Sequence, residues 1–102
     1  MASSKEFLEY ITERLSLLKG VSFKAMMGEY IIYYQGKIVG GIYDDRLLVK
    51  PTRAAKSLMP DASFEIPYEG ARAMLAVENV DDGEFLKELF IAVEKDLPTP
   101  KK

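Results

Sequence analysis

An α+β two-layer sandwich is the fold this sequence predicts, an antiparallel sheet with helices on one of its faces. Three observations lead there. Apolar residues recur at helical spacing near both ends, period-two alternation fills the middle, and turn signals follow too closely for crossover helices. The expected order is helix, three or four strands, helix, two strands, helix, with both long helices against the same face. With 102 residues the chain suffices for one domain, predicted over residues 1–97. Residues 98–102, Pro-Thr-Pro-Lys-Lys, are expected to be a disordered tail.

Ser3 and Glu6 have capping-box spacing, and Phe7, Leu8, Ile11, Leu15 and Leu18 then repeat every three or four residues. Together with the stop signal of Gly20 they predict a helix over about residues 4–19. Val21, Phe23, Ala25 and Met27 alternate with Ser22, Lys24 and Met26 as in a half-buried strand. Gly28 breaks the alternation with a turn, and Tyr30 to Tyr34 continue as a second strand. Gln35-Gly36 marks a tight hairpin into a third strand, Ile38 to Tyr43. Gly40-Gly41 at its centre signals a bulge or a backbone that something approaches closely. Asp44-Asp45 makes the next turn, and Arg46 to Lys50 forms a short strand ended by Pro51.

Thr52 caps a short helix, Arg53 to Met59, which Pro60 stops. Phe64 to Tyr68 and Ala73 to Val77 read as strands around Glu69-Gly70, and Pro67 restricts the first to an edge or a loop. Asp81 and Glu84 repeat the capping-box spacing ahead of a stripe of Phe85, Leu86, Leu89, Phe90 and Val93.

Composition narrows function by exclusion. The chain has neither histidine nor cysteine, which removes disulfides, thiolate nucleophiles and the commonest zinc ligands. No phosphate-binding glycine loop or nucleophile elbow occurs, so no enzymatic activity, cofactor or metal is expected. The N-terminus lacks a basic, then apolar, signal pattern, and the longest apolar stretch, Tyr30 to Tyr34, is far too short for a bilayer. A cytoplasmic protein without membrane attachment is the expectation. A net charge of −2 argues against autonomous duplex-DNA binding, which rests on basic side chains neutralising phosphates. Charge is uneven nonetheless. Residues 46–60 hold Arg46, Lys50, Arg53 and Lys56 without an acid, whereas residues 78–96 hold seven acids against Lys87 and Lys95. A two-signed surface suits a protein partner at least as well as a nucleic acid.

The segment Lys24-Ala25-Met26-Met27-Gly28-Glu29-Tyr30, then Leu47-Leu48-Val49-Lys50, then Pro67-Tyr68 with Gly70-Ala71, resembles the TfoX/Sxy family N-terminal domain. The resemblance spans roughly residues 4–97. Where that family writes basic-x-Met-Phe-Gly-Gly-Tyr-Gly, this chain has Met27 for the phenylalanine, Glu29 for the second glycine and Ile31 for the third. Those departures look like a short stand-alone branch, without the helix-rich second domain of the bacterial competence regulators. The resemblance implies an α-β(3)-α-β(2)-α sandwich similar to secretion-chaperone and YjbR-type folds. It also implies a regulatory module working through a protein partner, with the transcription machinery as the candidate.

Three groups are candidate sites. Met26, Met27, Gly28, Glu29 and Tyr30, with the motif's Lys24, form a prospective recognition lip; the plainer reading packs Met27 in the core and leaves Glu29 in water. Tyr30, Tyr33, Tyr34 and Tyr43 are the second group. Tyr30, Ile32 and Tyr34 share one sheet face while Ile31 and Tyr33 share the other, so some tyrosines are expected on the uncovered side above Gly40-Gly41. There they would stack a ligand or form a homodimer, or simply pair across strands. The third group is Arg46, Lys50, Arg53 and Lys56, joined by Arg72 if it lies nearby. They would converge on an anion or nucleic acid, the less favoured alternative, aided by the start of the short helix, or else form a solvated basic face. Tyr68 enters through the resemblance.

Overall fold

The computed structural model describes residues 3–98. Four strands, β1 (Val21–Met26), β2 (Glu29–Tyr34), β3 (Lys37–Tyr43) and β4 (Arg46–Val49), follow helix α1 (Lys5–Arg14) and its 3₁₀ extension Leu15–Leu17. Helix α2 (Arg53–Leu58), strands β5 (Phe64–Glu65) and β6 (Met74–Ala76), and helix α3 (Gly83–Asp96) complete the chain. All strand pairs are antiparallel, in the spatial order β1-β2-β3-β4-β6-β5. The α+β class and the expected element order are therefore observed, with the fourth strand present. Of the predicted tail, residues 99–102 lie outside the described residues.

Two-residue hairpins explain the meander. Met27-Gly28, Gln35-Gly36 and Asp44-Asp45 each place both residues at positive φ, between 52° and 87°. This is the type I′ geometry whose twist matches that of the flanking strands. It corrects the reading of Met27. The residue does not continue the inward alternation of β1 but sits at the turn tip, 97% exposed. Pairing with Gly28 takes it out of the strand.

All three helices cover one face. Cα partners across the sheet share a face, so Phe23, Ile32, Ile42, Leu47, Val49 and Leu75 point together toward the helices. They form one cluster with Ile11 and Leu15, Ala55 of α2, and Leu86, Leu89, Phe90 and Val93 of α3. The last four occupy the predicted stripe, and each is fully buried. Burying a side chain of this size contributes roughly 1.5–3 kcal/mol, so this layer carries most of the stability.

Both cap predictions shift by one residue. Ser4, not Ser3, caps α1 by accepting from the Phe7 amide at 3.1 Å. Asp82, not Asp81, caps α3 by accepting from the Phe85 amide at 3.1 Å. The glutamates, Glu6 and Glu84, fall in the first helical turns, where their charge suits the helix dipole. At the other end of α3, the Lys37 ammonium donates to the Glu94 and Leu97 carbonyls at 3.1 Å and pairs with the Glu94 carboxylate at 2.7 Å. A lysine from the sheet thereby satisfies the last turn of α3.

The paired glycines serve two purposes. The β2–β3 register shifts between Ile32, opposite Gly40, and Tyr33, opposite Ile38, leaving Val39 as the extra residue of a bulge. A Cβ on Gly40 would overlap the Leu48 carbonyl oxygen and lie 2.9 Å from the Val49 Cα. A Cβ on Gly41 would meet the Tyr43 ring at 2.5 Å. Bulge and close approach thus both occur. The approaching groups are the neighbouring strand and the chain's own tyrosine.

Candidate functional site

The face of the sheet away from the helices is not bare. Leu48, opposite Gly41 and Ala76, and Tyr43, opposite Arg46, belong to it, yet Leu48 is fully buried and Tyr43 only 6% exposed. Over Tyr43 lies the segment between β5 and β6, a strap of residues 66–73. Pro67 and Tyr68 lead into a turn in which the Ala71 amide donates to the Tyr68 carbonyl at 3.0 Å. Gly70 at φ +89° supplies the left-handed residue such a turn requires. The Tyr68 ring sits tilted against Tyr43, centroids 6.0 Å apart, and Tyr43 in turn lies over Gly41.

Beside that pair the strap and the sheet enclose a groove of about 440 Å³. Met26, Ile31 and Ile38 form its sheet side, Met74 one end, and Pro67, Tyr68, Ala71 and Ala73 the strap side. Two cations line it, Lys50 and Arg72, and no carboxylate does. The Lys50 amide donates to the Val39 carbonyl at 2.9 Å, extending the β3–β4 ladder beyond β4 and fixing the backbone that bears this ammonium. Burial pushes the Tyr43 phenol above its ordinary pKa, and the neighbouring Tyr68 and Glu29 act in the same direction. Tyr43 therefore stays protonated and serves as a wall.

The predicted lip has another role. One Glu29 oxygen accepts from the Ser3 amide at 2.9 Å and the Ser3 hydroxyl at 2.5 Å, while the other accepts from the Asp44 amide at 2.9 Å. The Ser3 hydroxyl accepts from the Asp45 amide at 3.0 Å, and the Ser4 amide donates to the Asp45 carboxylate at 2.7 Å. This clamp ties the start of α1 to the β1–β2 and β3–β4 turns. Glu29 is thus partnered within the chain rather than left in water. Met27 and Gly28 are exposed at their turn, and Lys24 projects from β1 opposite Ile31.

The tyrosines divide as their alternation predicts. Tyr34 is buried in the helix-side core and Tyr30 packs against it, so neither reaches the open face. Tyr33 and Tyr43 do lie on that face, opposite Ser22 and Arg46 respectively.

The basic group does not assemble as one patch. Arg46 pairs with Glu65 at 2.7 Å and donates from Nε to the Tyr43 carbonyl at 3.1 Å. Arg53 and Lys56 are exposed on α2, which packs against α3 in the helix layer. The start of α2 is already occupied, since the Ala54 amide donates to the Asp96 carboxylate at 2.8 Å. Of the group only Lys50 and Arg72 line one common groove. Sequence reasoning missed Ile31, Ile38 and Met74 as its walls; the only available signal was Pro67-Tyr68 following an edge strand. Among the described residues no group of three or more His, Cys, Asp or Glu is placed to hold a metal ion. No helix among them is long and apolar enough to cross a membrane.

The chain is similar along its length to an uncharacterized 12.7 kDa protein in the trpE 5′ region of Spirochaeta aurantia. The two are 28% identical over 102 residues, covering 99% of this chain and 89% of that protein. No family model matches the chain. No solved structure matches it either.

Proposed function

We propose that this chain is a small cytoplasmic regulatory module that acts through protein contacts on its strap-covered face, without catalysis. The observation that carries the reading is the apolar exposure gathered there. Ile38, Ile66 and Tyr68 are 39–54% exposed on and around the strap. An aromatic anchor rimmed by apolar side chains is the usual centre of a protein interface. The resemblance to the TfoX N-terminal domain supports the same class of function, and it alone suggests the transcription machinery as partner. A homodimer through this face draws less support, because the strap occupies part of the area that a second sheet would need. Nucleic-acid binding also draws less support, since the cations divide between two layers and Arg46 is held by Glu65.

Chemical cross-linking in extract of the source cells, with wild-type and Tyr68→Asp proteins as paired baits, tests the reading. A partner cross-linked by the wild type should fall about tenfold with the variant, as for loss of an interface anchor. Leu17→Ser, which alters an exposed apolar residue in the helix layer, should leave the yield unchanged. Equal capture by wild type and Tyr68→Asp would exclude the strap as the contact surface.

A further inference from the structure

We infer that the groove beneath the strap is a binding site for a small organic anion with a flat apolar body, such as an aryl carboxylate or aryl sulfonate. Its volume of about 440 Å³ lies within the range of small-molecule sites, roughly 300–1,000 Å³. The walls are methionine, isoleucine, proline and tyrosine, and the Tyr68 face offers a stacking surface. Charge selects the sign. Lys50 and Arg72 both line the groove, no acid does, and among the described residues neither cation forms an ion pair.

The contrast with the rest of the molecule gives that imbalance its weight. Lys37 is paired with Glu94 and Arg46 with Glu65, while the chain as a whole carries a net charge of −2. Two unpaired cations beside apolar walls, in an acidic protein, complement an anion joined to an apolar body. The backbone supports are firm as well, with Lys50 held by the Val39 carbonyl and the strap by its own turn. Size and sign together favour a small molecule over a longer chain. The inference goes beyond the protein-contact reading: the two share Ile38 and Tyr68, but the anion site turns on Lys50 and Arg72, which that reading does not use.

Fluorescence titration with 1-anilinonaphthalene-8-sulfonate, beside its neutral relative N-phenyl-1-naphthylamine, tests the assignment on the full chain. Native circular dichroism and cooperative melting serve as controls against binding to partly unfolded protein. The expected result is saturable one-to-one binding of the sulfonate, weakened about threefold each by Lys50→Gln and Arg72→Gln, as for partly exposed charges. Arg53→Gln in the opposite layer should leave it unchanged, and the neutral compound should not respond to any of the three. Amide shifts on sulfonate addition should centre on residues 31, 43, 68 and 72. Lack of saturable binding, affinity unchanged in the Lys50→Gln/Arg72→Gln double variant, or shifts centred elsewhere would overturn the inference. So would an acidic, Phe-containing peptide displacing the sulfonate and binding more tightly, since the groove would then be a peptide site.

Discussion

The two faces of this sheet bury side chains by different means. On one face three helices bring periodic stripes, and Leu86, Leu89, Phe90 and Val93 vanish completely from solvent. On the other a strap of eight residues covers Tyr43, leaving a groove beside it and Tyr68 half in water. The first arrangement spreads its free energy over many aliphatic contacts. The second rests on a few aromatic and proline contacts, and so keeps open space with unpaired charge at its edge. The side that carries most of the stability is thus opposite the side on which binding is proposed.

The largest expected effect lies on the helix side. Phe90→Ala removes a fully buried ring at the centre of the core and should cost about 3–5 kcal/mol in urea unfolding, much of the stability of a domain this size. On the strap side, Tyr68→Ala should cost only about 1 kcal/mol, the worth of one aromatic contact, with an unchanged circular dichroism spectrum. Equal losses from these two variants would collapse the contrast between the faces.

The smallest effect concerns pH. The folded chain raises the Tyr43 pKa, whereas the unfolded chain leaves it near the ordinary value of about 10. Above pH 10 the unfolded form releases this proton while the folded form retains it. Stability present below pH 10 is therefore lost progressively as pH rises through the folded-state value. Unfolding series between pH 9 and 11 should show a shallower alkaline decline for Tyr43→Phe than for the wild type. Parallel declines would mean that Tyr43 is no more shielded than a surface tyrosine.

Legibility in the sequence followed the same division. The α3 stripe was readable because a helix against a flat sheet must repeat its apolar residues every three or four positions. The spacing places both caps one residue early because Ser3-Ser4 and Asp81-Asp82 each offer two adjacent candidate oxygens. Ser3 is drawn into the Glu29 clamp, 26 residues away in sequence, which leaves Ser4 to the helix. Met27 misled for a local reason, since a type I′ turn ending in Gly28 requires a partner at positive φ whatever the alternation suggests. The groove was not legible at all. It joins β1, β2, β3, the end of β4 and the strap, and β5, the strand before the strap, is only two residues long. Lys50 and Arg72 are legible as cations, but their place along one groove depends on β6 lying between β4 and β5.

The Ser3–Glu29–Asp45 clamp also sets an order of events during synthesis. Its bonds reach 26, 41 and 42 residues along the chain, so the first helix leaves the ribosome long before its anchorage exists. That helix has to wait for its tether until the third hairpin has emerged, and for full cover of its apolar stripe until α3 follows. Nascent-chain truncations ending before Asp45 would thus present a sticky amphipathic leader, the form on which a chaperone would act.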